Sequence, residues 1–119
     1  GTFRTMHTRA VPAQEKPYRP LTDIAAHQPE FTMHNVSGTI VGFRSPPFVK
    51  GIGVPGYHLH FVSDDEQQGG HILDFELARG SAEIDICNQL HLVLPEKNSD
   101  FHQLDLSKDR RQELKQVEQ

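Results

Sequence analysis

Short runs of alternating or β-branched apolar residues dominate the chain, and their period of two predicts strands rather than helices. The four clearest runs are residues 2–9, 31–43, 57–63 and 71–77. Two later runs, 82–86 and 89–94, alternate in the same way and predict further strands of one antiparallel sheet. Glycines stand where the chain must turn, as in Gly69-Gly70 before the fourth run.

Helical signals are few and lie outside these runs. Prolines 12, 17 and 20 favour a stiff connector, after which residues 21–27 resemble a short helix that Pro29 ends. Residues 45–56 are rich in proline and glycine and predict a loop. Residues 107–119 are highly charged and predict a terminal helix with Ser107 as N-cap.

The element order predicts an α+β fold, consisting mostly of antiparallel β-sheet with short peripheral helices. Residues 1–106 are expected to form one β-rich, metal-binding domain and residues 107–119 a helical tail. A chain of 119 residues with 35% hydrophobic residues and no tryptophan is at the polar end for an independent domain. We therefore expect a partner surface that this chain lacks.

Charge and cysteine content narrow the function classes. Twelve basic and sixteen acidic residues give a net charge of -4 without a long basic run, which argues against nucleic acid as a partner. Cys87 is the single cysteine, so no intrachain disulfide is expected, in keeping with a cytoplasmic location. No apolar run approaches the length that spans a bilayer, and no membrane partner is expected.

Three histidines form the strongest candidate site. His58 and His60 are two residues apart in a predicted strand, so both imidazoles project from one face. His71 follows on the next strand, after a short polar loop. Three converging imidazoles without a fourth protein ligand are typical of catalytic zinc (Zn2+), which keeps open positions for water or substrate. The other five histidines are interpreted as ordinary surface or core residues: His7, His27, His34, His91 and His102.

A strand-borne His-x-His also occurs in the cupin fold, and this alternative fits less well. The cupin pattern expects a glutamate after the second histidine, separated from it by three or four intervening residues. Asp64 and Asp65 occupy those places, and the leading glycine of the pattern would fall on Ile52.

The motifs around the histidines resemble a different family. The central blocks are residues 39–43 (TIVGF), 54–61 (VPGYHLHF), 63–65 (SDD), 69–71 (GGH) and 73–75 (LDF). Towards the amino terminus they are preceded by residues 9–12 (RAVP), Gln14, residues 16–18 (KPY) and residues 20–21 (PL). This set, in this order, resembles the carboxy-terminal half of α-acetolactate decarboxylase across essentially the whole chain.

The resemblance implies roles for individual residues. His58, His60 and His71 would hold zinc, Arg9 would lie near the substrate, and Glu118 would be a carboxyl group at the site, with Glu113 as the fallback. The family carries roughly another half-chain upstream, including a further glutamate at the metal site. Nothing here corresponds to it, so a fragment of a longer protein is expected.

The implied function is zinc-dependent decarboxylation of 2-acetolactate (2-hydroxy-2-methyl-3-oxobutanoate) to acetoin and CO2. The small-molecule substrate is then the main partner, and an exposed sheet edge or apolar patch would favour a homodimer. The alternative is a metal-binding module with no activity of its own, or an inactive fragment.

Overall fold

The structure is a computed structural model that describes residues 1–97, 100–105, 107 and 109. Its strands are β1 (Thr2–Arg9), β2 (Glu30–Ser45), β3 (Gly56–Ser63) and β4 (Gly69–Arg79). One α-helix of five residues, α1 (Leu21–Ala25), lies between β1 and β2. Two 3-10 turns follow β2 and β4, at Pro47–Val49 and Asp100–Gln103. In the part of the chain described, no helix is both long and apolar enough to cross a membrane.

The four strands close into an antiparallel barrel in the order β1-β2-β3-β4, with β4 paired back to β1. The long strand β2 serves two partners, because its first part pairs with β1 and its second part with β3. The change of partner falls between Ser37, which faces Thr2, and Gly38, which faces Ser63. One bent strand therefore joins two sides of the barrel.

A small apolar cluster fills the barrel. Phe3, Met6, Met33 and Phe61 are buried, and they come from three of the four strands. The rings of Phe3 and Phe61 meet edge to face with centroids 5.5 Å apart, a favoured aromatic geometry. Three partly buried side chains complete the packing: Val36, Ile40 and Ile72.

The predicted antiparallel sheet is confirmed, and each of the first four alternating runs forms a strand. The helical part of the α+β prediction is supported only by α1 and the two short turns. Closure of the sheet into a barrel was not predicted, because it depends on the pairing of β1 with β4, which are distant in sequence. The predicted connector before α1 and the loop after β2 lie where expected.

The prediction of strands at 82–86 and 89–94 was wrong. The structure assigns neither run to a strand, and every residue from 81 to 97 is exposed. A strand needs a partner edge for its backbone hydrogen bonds. In the structure the residues that follow β4 pair with no edge of the described barrel, although β4 beyond His71 is paired only with β1.

The predicted terminal helix at 107–119 lies almost wholly outside the described residues. Only Ser107 and Asp109 of that range are described. The proposed division at residue 106 therefore stays a prediction.

Gly42 provides a test of the pairing between β2 and β3. A Cβ at this position would overlap the carbonyl oxygen of His58 and lie 2.9 Å from the Cα of Leu59. We expect Gly42→Ala to force the two strands apart and lower the free energy of unfolding by about 1–3 kcal/mol. Thermal denaturation followed by circular dichroism measures the loss.

Gly53→Ala is the matched control. A Cβ there meets only the Cγ2 of Val49 at 3.8 Å, so the change in stability should stay within about 0.5 kcal/mol. Equal melting temperatures for the two variants would contradict the close approach of β2 to β3.

Candidate metal centre

Strand β3 places His58 and His60 on the outer face of the barrel. The two residues alternate with Phe61, which is buried in the core, so their side chains leave the opposite side of the strand. Their direct partners on β2 are Phe43 and Val41, both largely exposed. Residues directly opposite each other in an antiparallel pair share a face, which confirms the outward direction of the two imidazoles.

Strand β4 brings His71 to the same place, because His71 is the direct cross-strand partner of His60. Gly70 precedes it with a φ of +148°, and a Cβ there would lie 2.6 Å from the carbonyl oxygen of Arg9. A side chain at position 70 would therefore separate β4 from β1 at the level of the site. The absence of a side chain lets the strand that carries His71 pack closely on both neighbours.

The three imidazoles converge. Their ring centroids are 4.9 to 5.3 Å apart, and one ring nitrogen from each lies within 4.8 Å of the others. The Nε2 atoms of His58 and His60 are 3.1 Å apart. Two nitrogens bound to one tetrahedral zinc ion at about 2.0–2.1 Å would be roughly 3.3 Å apart, so this spacing fits shared coordination. The donor set thus fits a divalent ion such as zinc, with room left for other ligands.

The loop between β3 and β4 is held by a compact hydrogen-bond network. The hydroxyl of Ser63 donates to Oδ1 of Asp65 at 2.5 Å, and the backbone N–H of Gln67 donates to the same oxygen at 3.1 Å. The N–H of Gln68 donates in turn to the Ser63 hydroxyl at 3.0 Å. The Ser63 hydroxyl, and then the Gln67 N–H, lower the pKa of the Asp65 carboxyl below its usual value of 3.8.

Arg9 lies beside the histidines at the carboxyl end of β1. It pairs across the strands with His71, which pairs with His60, which pairs with Val41. One row of side chains therefore crosses all four strands, with neighbouring strands about 4.7–4.9 Å apart. Arg9 is only 9% exposed, unlike an ordinary surface arginine.

The structure brings together four of the predicted site residues: His58, His60, His71 and Arg9. The predicted carboxylate Glu118 and its fallback Glu113 lie outside the described residues. Their roles stay predictions.

Apolar residues that were not predicted as part of the site surround the histidines. Val41 and Phe43 are 66% and 73% exposed on the face of the imidazoles. Beyond the pairing of His60 with His71, β3 and β4 separate, and an open pocket of about 580 Å³ lies beside His71. It is lined mostly by apolar side chains: Tyr57, Leu59, Ile72, Leu73 and Phe75, together with His71 and Asp74. The alternation of apolar residues along β2 could have indicated that Val41 and Phe43 share a face. Only the register between β2 and β3 shows that this face is the one with the histidines.

The fold and the site define a small antiparallel β-barrel with an open, three-histidine candidate metal centre on its outer face. Comparison with known proteins gives the family. A family model described as alpha-acetolactate decarboxylase matches residues 1–108. The chain belongs to the alpha-acetolactate decarboxylase family.

Individual relatives agree with this assignment. An alpha-acetolactate decarboxylase of Methanosarcina mazei is 45% identical over 118 residues, which are 99% of this chain and 41% of that protein. One from Raoultella terrigena is 46% identical over 92% of this chain and 42% of its own length. The chain thus spans about two fifths of the length of these relatives.

Solved structures show the same fold. The crystal structure of acetolactate decarboxylase from Bacillus subtilis subspecies spizizenii matches 99% of this chain and 51% of that chain, with a TM-score of 0.76 and 33% identity. A Staphylococcus aureus protein of unknown function, described as similar to alpha-acetolactate decarboxylase, matches 65% of this chain and 33% of its own, with a TM-score of 0.61 and 48% identity.

The Asp65 network predicts a pH-dependent contribution to stability. Because the pKa of Asp65 is lowered in the folded chain, its contribution is present above the usual value of 3.8 and is lost as the pH falls below it. We expect Asp65→Ala to destabilise the chain near pH 6, with the difference from the unchanged chain narrowing in acid below pH 3.8. Urea denaturation across this pH range measures both effects.

Asp64→Ala serves as the control, since the structure shows the Asp64 side chain in no hydrogen bond with another described residue. It should cost less stability at pH 6 than Asp65→Ala. A gap between Asp65→Ala and the unchanged chain that is constant from pH 6 down to pH 3 would contradict the role of the ionised carboxylate.

Proposed function

We propose that this chain is the metal-bearing part of a zinc-dependent enzyme that decarboxylates 2-acetolactate to acetoin and CO2. The observation that carries the proposal is the convergence of His58, His60 and His71 within 4.8 Å on one face of the barrel. Membership of the alpha-acetolactate decarboxylase family supports the choice of reaction.

The substrate has a chemistry that suits such a site. Its hydroxyl and ketone oxygens are adjacent and can chelate one cation. A zinc ion held by the three imidazoles would supply Lewis-acid stabilisation of the negative charge that these oxygens receive when CO2 leaves. Three imidazoles also tolerate other divalent ions, so the choice of zinc is part of the proposal.

Arg9 is proposed to bind the carboxylate that leaves as CO2. A guanidinium forms two parallel hydrogen bonds with a planar carboxylate, which fixes its orientation as well as its charge. The cross-strand row places Arg9 next to His71 and two strands from His60. The same face therefore carries a guanidinium group and the three candidate metal ligands, which supports the proposed role.

A proton must then reach carbon to complete acetoin. We propose Glu118 as the carboxylic acid that supplies it, with Glu113 as the alternative, because a carboxyl group near a cation can be tuned for general acid catalysis. This assignment rests on the resemblance to the family alone.

A second candidate function is a metal-binding module that is inactive by itself. It is favoured by the open position of the imidazoles on the outer face and by the two-fifths share of the relatives that this chain spans. In this case the 119-residue chain binds zinc but needs the remaining part of the family polypeptide for turnover. Our expectation is that a longer protein containing the chain is active, which reconciles the two candidates.

His58→Ala tests the metal assignment. We expect the unchanged chain to bind one zinc ion and His58→Ala to lose it, because two imidazoles are a much poorer site than three. The matched control is His34→Ala, an exposed histidine on β2 away from the cluster, which should keep the full zinc content. Mass spectrometry of the metal in dialysed protein gives the stoichiometry. One zinc per chain in His58→Ala would rule out His58 as a ligand.

A separate assay of acetoin release tests the second candidate function. An enzyme-like rate of release by the 119-residue chain would rule out the inactive module.

Arg9→Lys tests carboxylate binding in a chimera in which this chain replaces the matching stretch of the Methanosarcina mazei relative. Lysine keeps the charge but loses the planar pair of donors, so kcat/KM for acetolactate should fall at least about tenfold with unchanged zinc content. The control is Arg4→Lys, also on β1, whose guanidinium contacts Glu76 on the exposed surface. An unchanged kcat/KM in Arg9→Lys would contradict the proposed role.

A further inference from the structure

The residues that follow β4 carry a two-faced pattern that the barrel does not use. From 82 to 94 the even positions are apolar with one exception, and the odd positions are mostly polar. The even positions are Ala82, Ile84, Ile86, Asn88, Leu90, Leu92 and Leu94, and the odd ones Glu83, Asp85, Cys87, Gln89, His91 and Val93. The phase is the same across both halves of the segment, so a single continuous strand would place all the even side chains on one face. Such a pattern is typical of a strand with one face on a core and the other in water.

In the structure this segment contacts little. Five large apolar side chains at even positions are 57–87% exposed. Residues 81–94 make no backbone hydrogen bond with any described residue, and none of them belongs to a strand. The radius of gyration, 16.9 Å, exceeds the roughly 13.5 Å that a compact chain of this length would have, in keeping with a segment that leaves the barrel.

The unpaired backbone groups and the exposed apolar side chains of residues 82–94 are both unfavourable in water. A run of unpaired backbone groups beside contiguous apolar side chains invites pairing with another sheet. The pattern therefore requires a partner that offers both a free strand edge and an apolar surface.

We propose that residues 82–94 add as a strand to the edge of a β-sheet in the part of the family polypeptide that this chain does not span. The even face would pack on the core of that sheet, and Glu83, Asp85 and Gln89 on the odd face would stay in water. The proposal rests on family membership and not on the proposed metal chemistry.

The length of the family polypeptide favours this occupant. The relatives match this chain over only 41% and 42% of their own length, so most of their residues lie outside it and can supply a sheet with its own core. The barrel does have an unpaired edge along β4 beyond His71, where β4 is paired only with β1, yet residues 82–94 do not pair with it in the structure. This is why we place the partner edge in the rest of the family polypeptide.

A second copy of this chain is the competing occupant. Two copies of 82–94 pairing antiparallel around Asn88 would place Ile84 opposite Leu92 and Ile86 opposite Leu90. The product, however, is a two-stranded ribbon whose apolar face is still in water, and such ribbons are marginally stable at best. A larger sheet buries that face, which is why we prefer it.

Hydrogen exchange measured by mass spectrometry on two proteins tests the proposal. One is the 119-residue chain, and the other is the full-length chimera with the Methanosarcina mazei relative, which contains the remaining part of the family polypeptide. We expect the amides of 82–94 to exchange at least about 100-fold more slowly in the chimera than in the 119-residue chain. Equally fast exchange in the two proteins would overturn the proposal. Slow exchange in the 119-residue chain, together with a dimer mass by light scattering, would overturn it in favour of a second copy.

Two substitutions in the chimera test the predicted face. Leu90→Lys, on the even face, should speed exchange of the segment at least about tenfold, because it places a charge against the partner sheet. The neighbouring Gln89→Lys introduces the same charge on the odd face and should leave exchange unchanged. Equal effects of the two variants would contradict the assigned face. Zinc content of all variants should equal that of the unchanged chimera, so failure of the zinc assignment and failure of this proposal give different results.

Discussion

The register between β3 and β4 is the constraint on which the candidate site depends. His60 and His71 are direct partners across these strands, and His58 lies two residues away on the same face. Because side chains alternate with a period of two, a slip of one residue would turn the His71 imidazole to the opposite face and break the cluster. The Ser63 and Asp65 hydrogen bonds in the joining loop and the lack of a side chain at Gly70 both stabilise this register.

Barrel closure brings residues of the other two strands beside the histidines. Pairing of β4 with β1 puts Arg9 next to His71, and pairing of β3 with β2 puts Val41 and Phe43 opposite the other histidines. The apolar core on the inner side is small, whereas the face with the imidazoles carries exposed apolar residues. An exposed apolar surface around a polar cluster is typical of a binding face. The chain spans about two fifths of the length of its relatives, and both this surface and the segment 82–94 are exposed in the structure.

The part of the structure that could be predicted from the sequence is the part that local patterns decide. His58 and His60 follow from strand periodicity, and His71 from the short glycine-containing loop, so the cluster of three histidines could be predicted before any register was known. Barrel closure and the neighbourhood of Arg9 depend on pairing between distant strands, which periodicity does not encode. The alternation at 82–94 predicted strands that the structure does not form, because a sequence pattern shows what a segment can bury and not whether the covering surface is present. Glu118 was assigned by resemblance alone.

X-ray absorption spectroscopy at the zinc edge, on the zinc-loaded 119-residue chain, measures directly whether the three histidines share one metal ion. We expect three imidazole nitrogens at about 2.0–2.1 Å, with the remaining positions taken by light solvent atoms. A coordination shell with fewer than three imidazoles, or with a sulfur ligand at about 2.3 Å from Cys87, would contradict the central claim that His58, His60 and His71 form one open metal centre.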